Sequence, residues 1–264
     1  MKTFITKILN KNLKSILIST TFFWVVLITW MIVADDFNPL ILPSPSQVLE
    51  ALVKLIKTDK LQYHLLITLR RTFIGYSSAV IVGFFLALIL AKNWLLRKIL
   101  RPVLTVIQST PPIIWLALAV IWFGISDDVT PIFLIFVVTL PVIFVNIFEG
   151  IKSIDKELIE MAYVYNSSSK KVFFEIYLPS LIPHLISALS IAFAFAWKST
   201  VFAEYLGSAN GVGFALSVAN NNLETAELFA WAIILILFML IVEYLILQPL
   251  QLRVMRWKNN GKSY

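Results

Sequence analysis

The chain contains no cysteine and only two histidines, His64 and His184. Disulfides, thiolate metal centres and cysteine nucleophiles are therefore excluded, and a zinc site lacks its usual ligands. Charge is scarce as well. Only 14% of the 264 residues are Asp, Glu, Lys or Arg, against about one quarter in soluble domains. The sequence has no G-x-x-x-x-G-K-[ST] phosphate loop, no H-E-x-x-H metal motif and no visible internal repeat. What it has in abundance is apolar surface: 59% of residues are hydrophobic and the mean hydropathy is strongly positive. Such a composition fits a polytopic membrane protein rather than one or two soluble domains.

Six apolar runs are long enough, or nearly so, to cross about 30 Å of hydrocarbon. They are 16–34, 74–91, 103–126, 129–148, 181–199 and 229–247. Lys2, Lys7, Lys11 and Lys14 precede the first run as they would a signal peptide. However, the run is long for that role and Asp35-Asp36-Phe37-Asn38 offers no cleavage site, so it reads as a retained span.

Basic residues set the expected orientation. The N-terminal segment (1–15), the connections after spans two and four, and the C-terminal tail (248–264) hold four each, or 16 of the 22 Lys and Arg. The opposite side has Lys54, Lys57, Lys60, Arg70 and Arg71 in one long connection, with Lys198 at a span end. The positive-inside rule makes both termini cytoplasmic, and with them residues 149–180. Topology and anionic lipid account for the net charge of +7, so no nucleic-acid partner is implied.

Several features stand out along this frame. Pro39, Pro43 and Pro45 give the first outer connection a turn-rich start, and Ser46 is placed to cap the helix that follows. Gly75 and Gly83, with Ser77, Ser78 and Ala79, give span two a small-residue face for close helix contact. Pro111-Pro112 breaks or kinks span three, either as a packing kink or as a break lining a pathway. Trp115 and Trp122 read as packing and interface aromatics. Gly207, Gly211 and Gly213 mark irregular backbone that must face protein or a water-filled cavity. Glu204, close by, is either a pathway residue or a local cap or pair, and Lys198 either shares that role or snorkels.

The stretch 160–183 is polar and sits between two of the most apolar stretches of the chain. Asp155 can cap a helix over Lys156–Tyr165, with Asn166 as its left-handed stop. Ser167 or Ser168 can start a second helix, Lys170–Tyr177, which Leu178-Pro179 is expected to end. Two short capped helices on the cytoplasmic face suit a docking surface better than a plain linker.

These residues resemble the EAA loop of ABC-importer permease subunits. Glu160-Met161-Ala162 stands for Glu-Ala-Ala, Asn166 for the motif glycine, Ser167-Ser168 for the small pair, and Ile176-Tyr177-Leu178-Pro179 for the closing segment. "LPSPSQVLEALVKLI", "HLLITLRRTFIGY", "STPPIIWLALAVIWFGI", "AWKSTVFAEYLGSANGVGF" and "ETAELFAWAIILI" are similar to the nitrate/sulfonate/taurine class of such permeases, in order over roughly residues 40–250. The departures are Met161 and Asn166.

The resemblance implies an all-α membrane protein with the type I importer (MetI-like) permease fold: one domain of six transmembrane helices with a cytoplasmic coupling loop at 149–180. It implies a multi-pass subunit of the bacterial cytoplasmic membrane, not an enzyme and without a cofactor of its own. The expected partners are a second permease copy, two cytoplasmic ATPase subunits that bind ATP, and an extracytoplasmic solute-binding protein. The coupling residues would be Glu160, Met161, Ala162, Asn166, Ser167, Ser168, Leu178 and Pro179. The pathway or gate candidates are Pro111, Pro112, Trp115, Trp197, Glu204, Gly207, Gly211 and Gly213, and no metal site is expected. Small anions such as sulfonate, taurine or nitrate lead as cargo, with a thiamine-precursor pyrimidine or riboflavin as alternatives. A stand-alone secondary transporter is the rival from another class. It would require paired intramembrane carboxylates, whereas Glu149, Glu204 and Glu243 all sit near span ends.

Overall fold

A computed structural model of the chain describes residues 2–125 and 128–260, and every regular element among them is helical. Met1, Ser126 (the expected end of span three) and residues 261–264 of the expected tail lie outside the described residues. In order the helices are α1 (Lys2–Asp36), α2 (Pro45–Lys57), α3 (Lys60–Lys92), α4 (Trp94–Ser109), α5 (Pro112–Phe123) and α6 (Val129–Lys152). They continue with α7 (Lys156–Val164), α8 (Ser169–Val172), α9 (Leu178–Gly207), α10 (Val212–Asn221), α11 (Thr225–Val242) and α12 (Gln248–Asn260). The chain forms two compact units, Met1–Lys60 with Val218–Ile233 and Leu61–Ser217 with Ile234–Tyr264.

In the first unit, α1 contains the expected first span and exposes apolar side chains all round, from Phe22 to Ile32. The turn that follows is pinned by Trp30 Nε1 donating to the Pro43 carbonyl at 3.1 Å and by Thr225 Oγ1 donating to that of Leu40 at 2.7 Å. Helix α2 starts earlier than expected. Ser44, not Ser46, is its cap: Ser44 Oγ accepts from Gln47 N, and Gln47 Oε1 accepts from Ser44 N at 2.9 Å. This capping box encloses Pro45 at the first helical position, where the missing N–H costs nothing.

The second unit is built around α6, whose Leu134, Ile135, Ile143 and Ile147 are buried. Gly75, Ala79, Gly83 and Ala87, spaced four apart on α3, form the small-residue face that meets it. A Cβ on Gly75 would lie 2.7 Å from Ile135 Cβ, and one on Gly83 would lie 2.9 Å from Ile143 Cγ2. Both pairs advance by eight residues, so α3 and α6 run parallel. Helix α9 runs the other way, since Gly150 abuts His184 while Gly207 lies near Thr130. Parallel α3 and α6 require the intervening chain to return from one end of the unit to the other.

That return takes in the run expected as span three, 103–126, and it breaks at Pro111-Pro112 as those prolines suggest. Helices α4 and α5 are bent by 97° at Thr110-Pro111. The pair of prolines removes two backbone donors in succession, so α4 stops at Thr110 and α5 restarts with Pro112 at its first turn. At 1.5 Å per residue α5 is only about 18 Å long, short of a bilayer on its own. Among the described residues four helical stretches are long and apolar enough to cross a membrane, namely Lys60–Lys92, Val129–Lys152, Ser169–Gly207 and Thr225–Val254. The bent pair makes a fifth if it counts as one span.

Two further expectations change. Arg70 and Arg71, expected in the long outer connection, lie within α3, which begins at Lys60. Leu178-Pro179 does not end a helix either. A π turn over Phe173–Tyr177 joins α8 to α9, with Leu178 N–H bonded to the Phe173 carbonyl five residues back. The wider turn relieves the clash that a proline ring causes in an α-helical ladder. A second π turn, Glu243–Leu247, stands in the same relation to Pro249.

Candidate functional site

Two regions gather the residues singled out above, and the first is the polar segment 153–180. Asp155 caps α7, its carboxylate accepting from Glu157 N at 2.9 Å. At the other end Asn166 takes the left-handed conformation, φ 50°. Ser167 N donates to the Ala162 carbonyl and Asn166 N to that of Tyr163, both at 3.0 Å. This is a Schellman stop with asparagine in the glycine place, so the departure from the motif preserves the turn. Ser168 then caps α8, accepting from Lys171 N at 3.3 Å. Ala162 and Val172 are buried, whereas Glu160 and Met161 face outward beside exposed Leu158, Tyr163, Val164 and Tyr165. Leu178 and Pro179 are half-buried at the head of α9.

The second region closes the opposite end of α9. Glu204, in its last turn, is fully buried and so is Arg71 on α3. Arg71 Nη1 meets Glu204 Oε1 at 3.1 Å and the Asn210 carbonyl at 2.9 Å. Arg71 Nε meets Asp128 Oδ1 at 2.7 Å, and its Nη2 also bonds the Asn210 side chain. Arg70 pairs with the other oxygen of Asp128. Glu204 Oε2 accepts from Thr68 Oγ1 at 2.7 Å and from Gly213 N at 3.1 Å. Thr68 Oγ1 in turn accepts from Val212 N at 2.9 Å, and His64 Nδ1 accepts from Gly211 N at 3.2 Å. Beneath them the Thr72 and Thr200 hydroxyls are 2.9 Å apart.

The glycines are explained by this packing. Gly211 has φ 99°, and a Cβ there would sit 2.2 Å from the Glu204 carboxyl carbon. A Cβ on Gly213 would sit 2.2 Å from the Val201 carbonyl oxygen. The irregular backbone thus faces protein and wraps the carboxylate with its N–H groups. Two cations and two carboxylates balance, and both oxygens of Glu204 are occupied by donors. The arrangement can act as a polar clamp. Among the described residues no three His, Asp or Glu side chains could hold a metal ion.

The remaining candidates are scattered. Trp197 is buried and stacks on Phe238 at 4.4 Å. Trp115 packs beside Leu116, Leu134 and Ala203 and donates to the Ile107 carbonyl at 3.4 Å. Pro111 and Pro112 lie exposed at the bend. Lys198 is exposed on α9 and forms no ion pair among the described residues. Sequence reading missed Thr68, Arg71, Asp128 and Asn210. The available signal was register: Thr68, Arg71, Thr72 and Gly75 continue the face of α3 that Ala79 and Gly83 bury.

Residues 79–256 match the model of a family described as binding-protein-dependent transport system inner membrane component. The taurine transport system permease protein of Escherichia coli is 29% identical over 240 residues, covering 88% of this chain and 86% of that protein. An aliphatic sulfonates transport permease of Escherichia coli is 31% identical over 188 residues, covering 70% of each chain. A formylaminopyrimidine transport permease of Halalkalibacterium halodurans is 29% identical over 201 residues, covering 74% of this chain and 78% of that one. Among solved structures, a methionine ABC transporter in an inward-facing conformation has a TM-score of 0.59 at 16% identity, covering 70% of this chain and 93% of its own. That likeness supports the fold alone.

Proposed function

The chain belongs to the binding-protein-dependent transport inner-membrane family, as the non-catalytic permease subunit of an ABC importer, and on that premise we propose how it works and what it carries. Its spans form the path for a small solute delivered by an extracytoplasmic binding protein. A taurine-, sulfonate- or nitrate-like anion is the favoured cargo, because permeases named for these solutes match most of the chain. A thiamine-precursor pyrimidine is the second reading, carried by the formylaminopyrimidine relative.

Segment 149–180 is the proposed EAA coupling loop. The observation that carries it is α7: a helix of nine residues, stopped at both ends by side-chain and left-handed caps, presents Glu160 and Met161 outward on a surface of exposed apolar side chains. A docking element needs such rigidity. Glu160 would pair with a basic residue of the ATPase, and buried Ala162 would keep α7 close to its support. ATP-driven closure of two ATPase subunits would then shift the spans as rigid bodies. The permease works as a homodimer with both termini cytoplasmic, the side on which charge asymmetry places this loop. Pro111, Pro112 and the Gly207–Gly213 segment serve as gate elements on this reading.

The test is uptake by the reconstituted complex. Glu160→Arg should abolish ATP-driven uptake and weaken capture of the ATPase subunit. Unchanged uptake would refute the docking role, and uptake that survives ATP depletion but collapses with the ion gradient would favour a secondary carrier. Labelled taurine, nitrate and formylaminopyrimidine offered in parallel decide the cargo.

A further inference from the structure

Helix α4 divides its circumference into three sectors. At 100° per residue, Leu96, Leu100 and Leu104 share one sector and pack against the core of the second unit. Leu95, Ile99, Val103 and Val106 share a second, and all four are exposed. Trp94, Arg97, Lys98, Arg101 and Thr105 share the third. They line an open groove of about 490 Å³ together with Pro102. Lys98 Nζ stands 5.2 Å from the centre of the Trp94 ring. The helix contains no Asp or Glu, and none of its three cations is in an ion pair among the described residues. Asn93 fixes the start of the helix by accepting from Leu95 N and Leu96 N.

We propose that this groove is a binding site for the headgroup of an anionic phospholipid, whose acyl chains lie along the Leu95–Val106 stripe. A free anion would use only the cations and make no use of the adjoining apolar stripe. An amphiphile satisfies both sectors at once, as in helices that lie in a membrane interface. Trp94 belongs at that level, since its ring is amphipathic. The sharp bend before α5 lets α4 follow a direction that the apolar α5 does not share. The inference rests on the chain lying in a bilayer and not on the cargo or the ATPase contact.

The test uses the full chain in nanodiscs and lipids with brominated acyl chains, which quench nearby tryptophan. The Trp94 signal is the difference between the parent and Trp94→Phe. Brominated phosphatidylglycerol should quench it in strong preference to brominated phosphatidylcholine. At about fivefold per cation, the preference is on the order of 100-fold for three. Arg97→Gln, Lys98→Gln and Arg101→Gln combined should bring it to about one, whereas Arg97→Lys with Arg101→Lys should retain it. If the triple variant does not fold, Lys98→Gln alone should reduce the preference about fivefold. Equal quenching by the two lipids overturns the proposal, as does a preference that survives removal of the cations. Displacement by inorganic phosphate would make this a small-anion site. Shielding of Trp94 from both lipids would mean that a second copy of the chain covers the face. Either result rejects the lipid assignment.

Discussion

Replacing Arg71 by leucine tests the buried clamp most directly. Both Arg71 and Glu204 have fully buried side chains, so the substitution strands a carboxylate with no cation beside it. Breaking one side of such a pair costs about 3–5 kcal/mol. The lost contact to Asp128 adds little, because that carboxylate is 39% exposed and keeps Arg70. For a chain of this size each kcal/mol lowers Tm by about 2–4 °C, so Arg71→Leu should lose on the order of 10 °C. Glu204→Gln should cost less, about 1–3 kcal/mol. The amide can still accept from Thr68 and Gly213, and Arg71 keeps Asp128 and Asn210. The double variant should be more stable than the sum of the two losses implies, with a coupling of about 1–3 kcal/mol, because no buried charge remains unpaired. Thermal unfolding of the purified protein, followed by size-exclusion fluorescence, measures all three. If Arg71→Leu is no worse than Glu204→Gln, or if the losses add, the pair is not a coupled clamp.

Other substitutions probe the backbone. Gly211→Ala places a methyl group 2.2 Å from the Glu204 carboxyl carbon at a positive φ and should lower Tm as severely as Arg71→Leu. Gly83→Val should separate α3 from Ile143 and cost at least about 1–3 kcal/mol by overpacking, read by the same unfolding assay. Asn166→Gly should leave stability within about 1 kcal/mol of the parent, while Asn166→Val, β-branched at φ 50°, should lose about 1–3 kcal/mol and reduce coupled ATPase activity. Leu223 also has a positive φ, 59°, and is exposed, so Leu223→Gly should raise stability by up to about 1 kcal/mol.

The elements that sequence reading placed well are those in which local chemistry and tertiary packing agree. Asp155, Asn166 and Ser168 bond groups within five residues of themselves, so their roles could be read from spacing alone. The Gly75–Gly83 face was legible for a similar reason, since a small-residue ladder has a period. Arg71 was not. A charge scan places an arginine outside the membrane, and only partners 57, 133 and 139 residues away make its burial tolerable. Pro111-Pro112 could be recognised as a disruption, but its extent could not be read. A kink and a 97° bend begin from the same missing donors, and the packing of α5 against α6 decides between them.

Pro179 was misread for a more instructive reason. Proline stops an α-helix when the ladder keeps its pitch, but a π turn placed just before it changes the pitch and lets the helix continue. The same placement before Pro249 makes this a repeated device of the chain rather than an accident of one loop. Its consequence lies in length. From Ser169 to Gly207 the chain is one helical stretch of 39 residues, about 58 Å, with the Ser168 cap at one end and the Glu204 clamp at the other. A hinge at Leu178-Pro179 would absorb a push on α8. A continuous rod carries it into the membrane. On the proposed coupling role, the segment that meets the ATPase and the carboxylate that holds the Gly207–Gly213 backbone belong to the same rod. Displacing one end then requires either that the π turn yields or that the clamp moves.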